Sequence, residues 1–258
     1  MAHFFLDETL TADLCPPGAT VRIGGSEAKH AVTVSRIRPG EALFLGNGAG
    51  LMLHGTVVDA SPTELSLQVT TRTVTPAPAP RIVLVQALAK GDRDELAVQA
   101  ATELGVDGVI PWTAARSISR WEGAKIAKGR ERWSSIVREA SKQSIRPWLP
   151  TVADLVSTKQ LITLAASARM LLLEPSAARR LTEFDAGDVW PGTAPGAPAD
   201  TELDILLVVG PEGGIAPSEL EALEAAGAQR VKLGDTVLRT STAGPAALAI
   251  LNAKLGRW

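Results

Sequence analysis

The proline-alternating segment TPAPAP (75–80) constrains this 258-residue chain more than any other feature. Alternating prolines cannot donate to a β-ladder or continue a helix, and they favour extended polyproline geometry, so no regular element can run through them. The patterns on its two sides differ in kind. Before it, ALFLG (42–46), LMLHGTVV (51–58) and ELSLQVTT (64–71) alternate apolar with polar positions, the period of strands with one buried face. After it, RIVLVQAL (81–88) is continuously apolar, as in a strand covered on both faces, and helical patterns separate further apolar runs. The expected class is α/β, with a small β domain over 1–75, a proline-rich linker over 76–80 and a larger α/β domain over 81–258. With 45% hydrophobic residues the chain can bury a sizeable core.

Within the first domain GNGAG (46–50) has the glycines of a phosphate loop but neither the GxGxxG spacing nor a following helix, so it reads as a hairpin turn. In the second, GDRDELAVQAATELG (91–105) predicts a helix with Asp92 and Glu95 as a capping-box pair, Leu96, Ala100 and Leu104 as its stripe and Gly105 as its stop. GVIPW (108–112), RMLLLE (169–174), DILLVVG (204–210) and RVKLG (230–234) read as strands, and helices are expected around 129–144, 218–227 and 243–256. The first of these puts Trp133, Ile136, Val137, Ala140 and Ser144 on one side and leaves Arg138 and Lys142 to face solvent or RNA. The last is apolar enough to require burial, against its own domain or a second subunit. The stretch 176–202, rich in Pro, Gly and Ala, is expected to be partly mobile.

Several classes are excluded early. The single cysteine, Cys15, cannot form an internal disulfide and has no CxxC or Cys/His cluster beside it for a zinc site. The opening residues lack the basic start and apolar core of a signal peptide, and no apolar run approaches the roughly 18 residues of a membrane span. A cytoplasmic protein with no membrane or metal partner is expected. The formal net charge of −2 conceals an asymmetry: 5 basic against 7 acidic residues over 1–75, 12 against 8 over 81–150, and 9 against 13 over 151–258. Residues 115–146 hold nine cations (Arg116, Arg120, Lys125, Lys128, Arg130, Arg132, Arg138, Lys142, Arg146) against three acids. That run suits either a solvated helix face or RNA phosphates.

In an open α/β sheet, ligands gather beyond the carboxyl ends of the strands, where LEPSA (173–177), GPEGG (210–214) and LGDTVLRTSTAG (233–244) fall. The glycines of GPEGG let a ligand approach the main chain, and its exposed backbone groups suit an adenine or ribose edge. The same segment also serves simply to turn a strand into the 218–227 helix.

KGDRDELAVQAATELGV (90–106), EASKQSIRPWLP (139–150), VVGPEGG (208–214) and LGDTVLRTSTA (233–243), in this order, resemble the signature segments of the RsmE family in the SPOUT superfamily. HFF (3–5) and GSEAKHAVTVSRIRPGE (25–41) are similar to that family's PUA-like RNA-binding domain. The resemblance spans essentially the whole chain and is weakest at 45–75 and 176–202. It implies a small PUA-like β-barrel followed by a SPOUT-type domain with a deep trefoil knot. It also implies a homodimer whose active site borders both subunits, S-adenosyl-L-methionine as cofactor, and methylation of N3 of a uridine in 16S rRNA, within the small ribosomal subunit. General topology rules argue against a knot, so that expectation comes from the resemblance alone.

Carried over by position, the resemblance implies cofactor contacts from Leu173, Gly210, Pro211, Glu212, Gly213, Gly214, Leu233, Gly234, Val237, Leu238, Thr240, Thr242 and Ala243. Asp235, Thr236 and Ser241 stand where the family often has Pro, Arg and Glu, which leaves side-chain roles open there. Uracil N3 is a poor nucleophile until it loses its proton, and the charge then spreads to the flanking carbonyl oxygens, where arginine supplies fixed, always-charged donors. Arg146 and Arg239 are the candidates for this catalytic role. Glu212 is open between base and ribose contact. RNA contacts are expected from His30, Arg36, Arg116, Arg130, Arg138, Lys142 and Gln143, with a turn or core role for His30 and an ordinary surface amide for Gln143 as alternatives. Trp112, Trp121, Trp133 and Trp148 read as packing residues before base-stacking ones. Two other functions compete: a SPOUT enzyme that methylates ribose 2′-hydroxyls, and a non-catalytic RNA-binding protein on the same scaffold.

Overall fold

The computed structural model describes residues 3–184 and 203–258, and the chain divides into two compact units, Met1–Ala77 with Ser141–Leu149, and Pro78–Ala140 with Pro150–Trp258. Most of the stretch expected to be mobile, residues 185–202, lies outside the described residues.

The first unit is a five-stranded sheet of β1 (His3–Leu6), β2 (Thr20–Gly24), β3 (Ala42–Gly46), β4 (Leu51–Ala60) and β5 (Glu64–Val74), with a short helix, α1 (Gly25–Lys29), that continues into a π-helical turn at His30–Val34, and a 3-10 turn at Ala12–Leu14. The spatial order is β1-β3-β4-β5-β2, parallel between β1 and β3 and antiparallel elsewhere. The alternating patterns explain the core: Val21, Ile23, Leu43, Leu45, Leu51, Leu53, Leu65 and Leu67 all point inward. GNGAG is the hairpin turn between β3 and β4. Asn47 Oδ1 accepts from Ala49 N at 2.8 Å and Leu51 N at 3.1 Å, while Gly48 and Gly50 take φ of +68° and +92°.

The same turn explains why 141–149 belongs to this unit. Leu149 N donates to Gly48 O and Gly50 N to Pro147 O, both at 2.9 Å, and a Cβ on Gly50 would meet the Trp148 indole at 3.0 Å. Trp148 Nε1 donates to the carbonyls of Thr75 and Pro76, each at 3.0 Å, which fastens the proline-rich segment as it leaves β5.

The second unit is a parallel sheet of β6 (Ile82–Ala87), β7 (Gly108–Thr113), β8 (Thr151–Val152), β9 (Val156–Ser157), β10 (Arg169–Leu173), β11 (Ile205–Val209) and β12 (Gln229–Val231). Its order is β12-β10-β11-β6-β7-β8, with β9 also on β7, and its helices are α2 (Arg93–Glu103), α3 (Ala124–Gln143), α4 (Thr158–Ala165), α5 (Pro217–Ala225) and α6 (Thr240–Lys254). Every residue of β6 is buried, as its unbroken apolar run requires. Val83, Val85 and Ala87 pack with Leu161 and Ala165 of α4 and with Leu220 and Leu223 of α5. Full burial of each such Val or Leu contributes roughly 1.5–3 kcal/mol. On the opposite face α6 approaches the sheet directly: a Cβ on Gly244 would meet the Leu84 side chain at 2.9 Å and Val209 at 3.4 Å, so a larger residue there would force Leu84 to shift.

Two local expectations fail for physical reasons. Asp92 precedes α2 at φ +61° and makes no cap hydrogen bond. Asp94 instead accepts from Ala89 N at 3.3 Å and Glu95 N at 2.9 Å, and Glu95 turns away to Arg132. The buried face of α2 is Ala97, Val98, Ala101 and Thr102, with Leu96 55% exposed, because α6 lies close and small residues admit it. The third helix begins at Ala124, earlier than its apolar stripe suggests. Among the described residues no helix is long and apolar enough to cross a membrane.

Candidate functional site

The carboxyl ends of β10, β11 and β12 open onto a cavity of about 910 Å³ in the second unit. A parallel sheet brings its strand exits to one end, so the loops that follow them converge there. Leu173–Ser176 leave β10, Gly210–Ile215 leave β11, and Lys232–Arg239 lead from β12 into α6. The GPEGG and LGDTVLRT segments, separated in sequence, thus form facing walls. Of the expected cofactor residues, Leu173, Gly210, Pro211, Glu212, Gly213, Gly214, Leu233, Gly234, Val237, Leu238, Thr240 and Ala243 line the cavity. Thr242 does not; it sits in the first turn of α6, its amide bonded to Arg239 O, and is exposed.

The turn is held from three sides. Glu212 Oε1 accepts from Lys90 N and from Arg93 Nη1, both at 2.9 Å. Burial alone would raise the Glu212 pKa, but the amides of Glu212 and Lys90 and the Arg93 guanidinium outweigh it and hold the carboxyl below its ordinary range. Glu219 is buried at the start of α5. It accepts from Ala115 N at 2.9 Å, Thr158 Oγ1 at 2.6 Å and Ala216 N at 3.2 Å, which ties the exits of β7 and β9 to the turn. Gln86 Nε2 donates to Thr240 Oγ1, and Thr240 Oγ1 to Gly210 O, both at 2.9 Å.

Five cations line the cavity. Arg93 pairs with Glu212, Arg116 donates to Gly213 O at 2.9 Å, Arg230 pairs with Glu224, and Lys232 lies 3.3 Å from Asp235. The Arg239 side chain has no partner among the described residues and is exposed at the N-cap of α6. Arg116, expected at RNA, is therefore placed against the GPEGG backbone.

Arg146, the other catalytic candidate, belongs to the first unit, where its amide donates to Ser141 O at 3.0 Å. His30, Arg36, Lys142 and Gln143 share that unit; Arg36 (φ +56°) and Gln143 are exposed. Lys142 requires correction. Its side chain is 5% exposed, with Nζ 3.4 Å from Glu27, 3.3 Å from His30 Nδ1 and 5.9 Å from the Phe5 ring centre. The helical stripe predicted a lysine facing solvent or RNA, but an acidic partner from α1 and the Phe5 face hold it inside the unit. Arg130 pairs with Asp154 at 3.3 Å, and Arg138 is half-buried. The four tryptophans of 112–148 pack: Trp112 and Trp133 are buried, Trp121 meets Trp133 edge-on at 5.3 Å, and Trp148 covers the hairpin turn.

Comparison with known proteins decides the lineage. An RNA methyltransferase domain model matches residues 75–252 and an RNA methyltransferase PUA domain model residues 23–70. The chain is 42% identical over 246 residues to ribosomal RNA small subunit methyltransferase E of Mycobacterium tuberculosis (93% of this chain, 89% of that one). To the Bacillus subtilis protein of that name it is 30% identical over 253 residues (98% and 96%). The chain belongs to the RsmE family. A crystal structure of an RsmE from Neisseria gonorrhoeae bound to S-adenosyl methionine superposes with a TM-score of 0.81 at 25% identity, covering 98% of both chains.

Within this RsmE framework, Arg93, Gln86 and Glu219 are the residues that sequence reasoning missed. Gln86 left one signal, a lone amide inside an apolar strand. Arg93 lies within the KGDRDELAVQAATELGV segment, where nothing local marks its role, and Glu219 reads from sequence as an ordinary helix-start acid.

Proposed function

We propose that this chain transfers a methyl group from S-adenosylmethionine to N3 of a uridine in 16S rRNA. The observation that carries the reading is Arg239: it is the cavity-lining cation with no partner among the described residues, at a rim built from the two motif loops. The cavity fits the cofactor, because its volume lies in the range of small-molecule sites and Cβ atoms added at Gly214 or Gly234 would meet nothing within 4 Å. The backbone of 210–214 and 233–238 would hold it. When bound, S-adenosylmethionine supplies a methyl on a sulfonium centre.

The protein's part is alignment and charge. Arg239 stabilises the negative charge that spreads to the uracil carbonyl oxygens when N3 loses its proton, and Arg146 is assigned the same task. The walls around Thr240 and Gly210 keep the reactants in register and exclude water. Arg36, Arg130, Arg138 and Gln143, with His30 of the PUA-like unit, are assigned to RNA, Arg116 to the turn.

The knot belongs to this proposal. It is supported by the path of residues 231–232, which accept from Glu174 N at 3.0 Å and Leu181 N at 2.8 Å, so they pass beside two ends of one connection before the chain returns to α6 on the central strands. The homodimer rests on the resemblance together with Val237, which is 78% exposed at the cavity. Residues 1–75 as RNA-binding domain, the small ribosomal subunit as target and a cytoplasmic location complete the reading. Methyl transfer to purified small subunits and to naked 16S RNA in parallel, followed by mass spectrometry of nucleosides, should yield 3-methyluridine. Finding 2′-O-methyl nucleosides without it would overturn the assignment.

A further inference from the structure

Gln86 is fully buried near the end of β6, in register with Val209 on β11 and Pro111 on β7. Successive strand residues point to opposite faces, so Gln86 shares the face of Leu84, against which α6 lies. Its Nε2 donates to Ala87 O at 3.0 Å and to Thr240 Oγ1 at 2.9 Å, and the Thr240 hydroxyl donates onward to Gly210 O at 2.9 Å. Ala87 O and Gly210 O can only accept, which fixes the direction of every bond: the amide must present its NH2 and the hydroxyl must give its proton to the turn. Gln86 Oε1 meanwhile is buried with no hydrogen-bond partner among the described residues. An apolar side chain would fill this strand position without leaving an acceptor unmade, so the amide is not explained by packing.

We infer that Gln86 is a positioning residue for the cofactor cavity. Through Thr240 it holds the first residue of the GPEGG turn at a fixed distance from the start of α6, and with it Arg239, the residue immediately before. Gly210, Arg239 and Thr240 line the cavity whereas Gln86 does not, so its action is indirect. Thr240, expected at the cofactor, has its hydroxyl proton and one lone pair engaged by the scaffold and contributes shape to the cavity wall. The inference rests on reading this cavity as the S-adenosylmethionine site.

The test is a double-mutant cycle read by titration calorimetry with S-adenosylmethionine. Gln86→Met keeps length and fills the strand position without donors; Thr240→Val keeps shape and removes the hydroxyl. Each should weaken binding about tenfold, and the double variant should bind no worse than the weaker single one, because either change breaks the same relay. Thr240→Ser, which keeps the hydroxyl but loses the methyl on the cavity wall, should recover most of the affinity that Thr240→Val loses. In steady-state methyl transfer the loss should fall on the KM for the cofactor more than on kcat. If Gln86→Met fails to fold, the Thr240→Val and Thr240→Ser pair carries the test. Unchanged affinity in Thr240→Val, or additive losses in the cycle, would overturn the inference. No binding by the unsubstituted chain would instead overturn the cofactor reading beneath it.

Discussion

In the α/β unit the lining cations Arg93, Arg116, Arg230 and Lys232 are tied to their surroundings while Arg239 is left at the rim; in the β unit Lys142 is drawn inside, onto Glu27, His30 and Phe5. Both regions supplied cations that look alike in sequence. What separates them is the partner each finds. A cation with a carboxylate or carbonyl already in place holds a wall together, whereas one without a partner can meet developing charge on a substrate. The count of nine basic residues over 115–146 therefore overstates the surface available to RNA.

The largest effect expected is catalytic, at Arg146, which the family resemblance and not this contrast puts forward. Arg146→Lys keeps the charge but loses the planar fork, and loss of one well-placed donor costs roughly 3–4 kcal/mol, about a hundredfold to a thousandfold in rate. Single-turnover methyl transfer at saturating RNA and cofactor should fall by that factor with S-adenosylmethionine binding near normal. A normal rate there would leave Arg239 as the one remaining candidate.

The internal cation comes next. Lys142→Met removes a partner from Glu27, whose side chain is 16% exposed, so the loss should be about 2 kcal/mol, below the 3–5 kcal/mol of a fully buried pair. Chemical denaturation should register that loss, and the salt dependence of RNA affinity should not change. A flatter salt slope with unaltered stability would return Lys142 to the RNA surface.

A smaller and opposite pattern is expected of Arg130, which is half exposed beside the 87%-exposed Asp154. Arg130→Gln should lower the slope of log affinity against log salt by about 1, the share of one phosphate contact, with little change in stability. An identical slope would make the outer face of α3 merely solvated.

The two units also differ in how legible they were. Strand alternation located β3, β4 and β5, and the unbroken run at 81–88 located β6, because burial on one or two faces writes directly into residue order. The GPEGG and LGDTVLRT loops were recognisable by resemblance, and strand polarity explains why they meet. Long-range pairings left no such trace. The placement of 141–149 depends on Trp148 covering Gly50, and the inward turn of Lys142 on Glu27 over a hundred positions earlier; neither follows from the local pattern of α3. Leu96 misled for a related reason: apolarity marked it as core, but the close approach of α6 to α2 favoured the small residues beside it.

The smallest effect concerns Glu212, where the contrast between scaffold and ligand-ready groups can be sharpened by pH. Its folded pKa is lowered despite burial, because the amides of Glu212 and Lys90 and the Arg93 guanidinium favour the charged form. A carboxyl with a depressed folded pKa contributes stability that is complete above the unfolded value and is lost as pH falls through the folded one. Glu212→Gln should therefore destabilise the protein at neutral pH, and the two proteins should converge in acid. Arg93 is 43% exposed, so solvent screening limits the difference to about 1 kcal/mol or less. Thermal unfolding of both proteins across the acidic limb measures it. A gap that stayed constant with pH would show that the carboxylate charge does not hold the turn, and would reopen Glu212 as the base for N3.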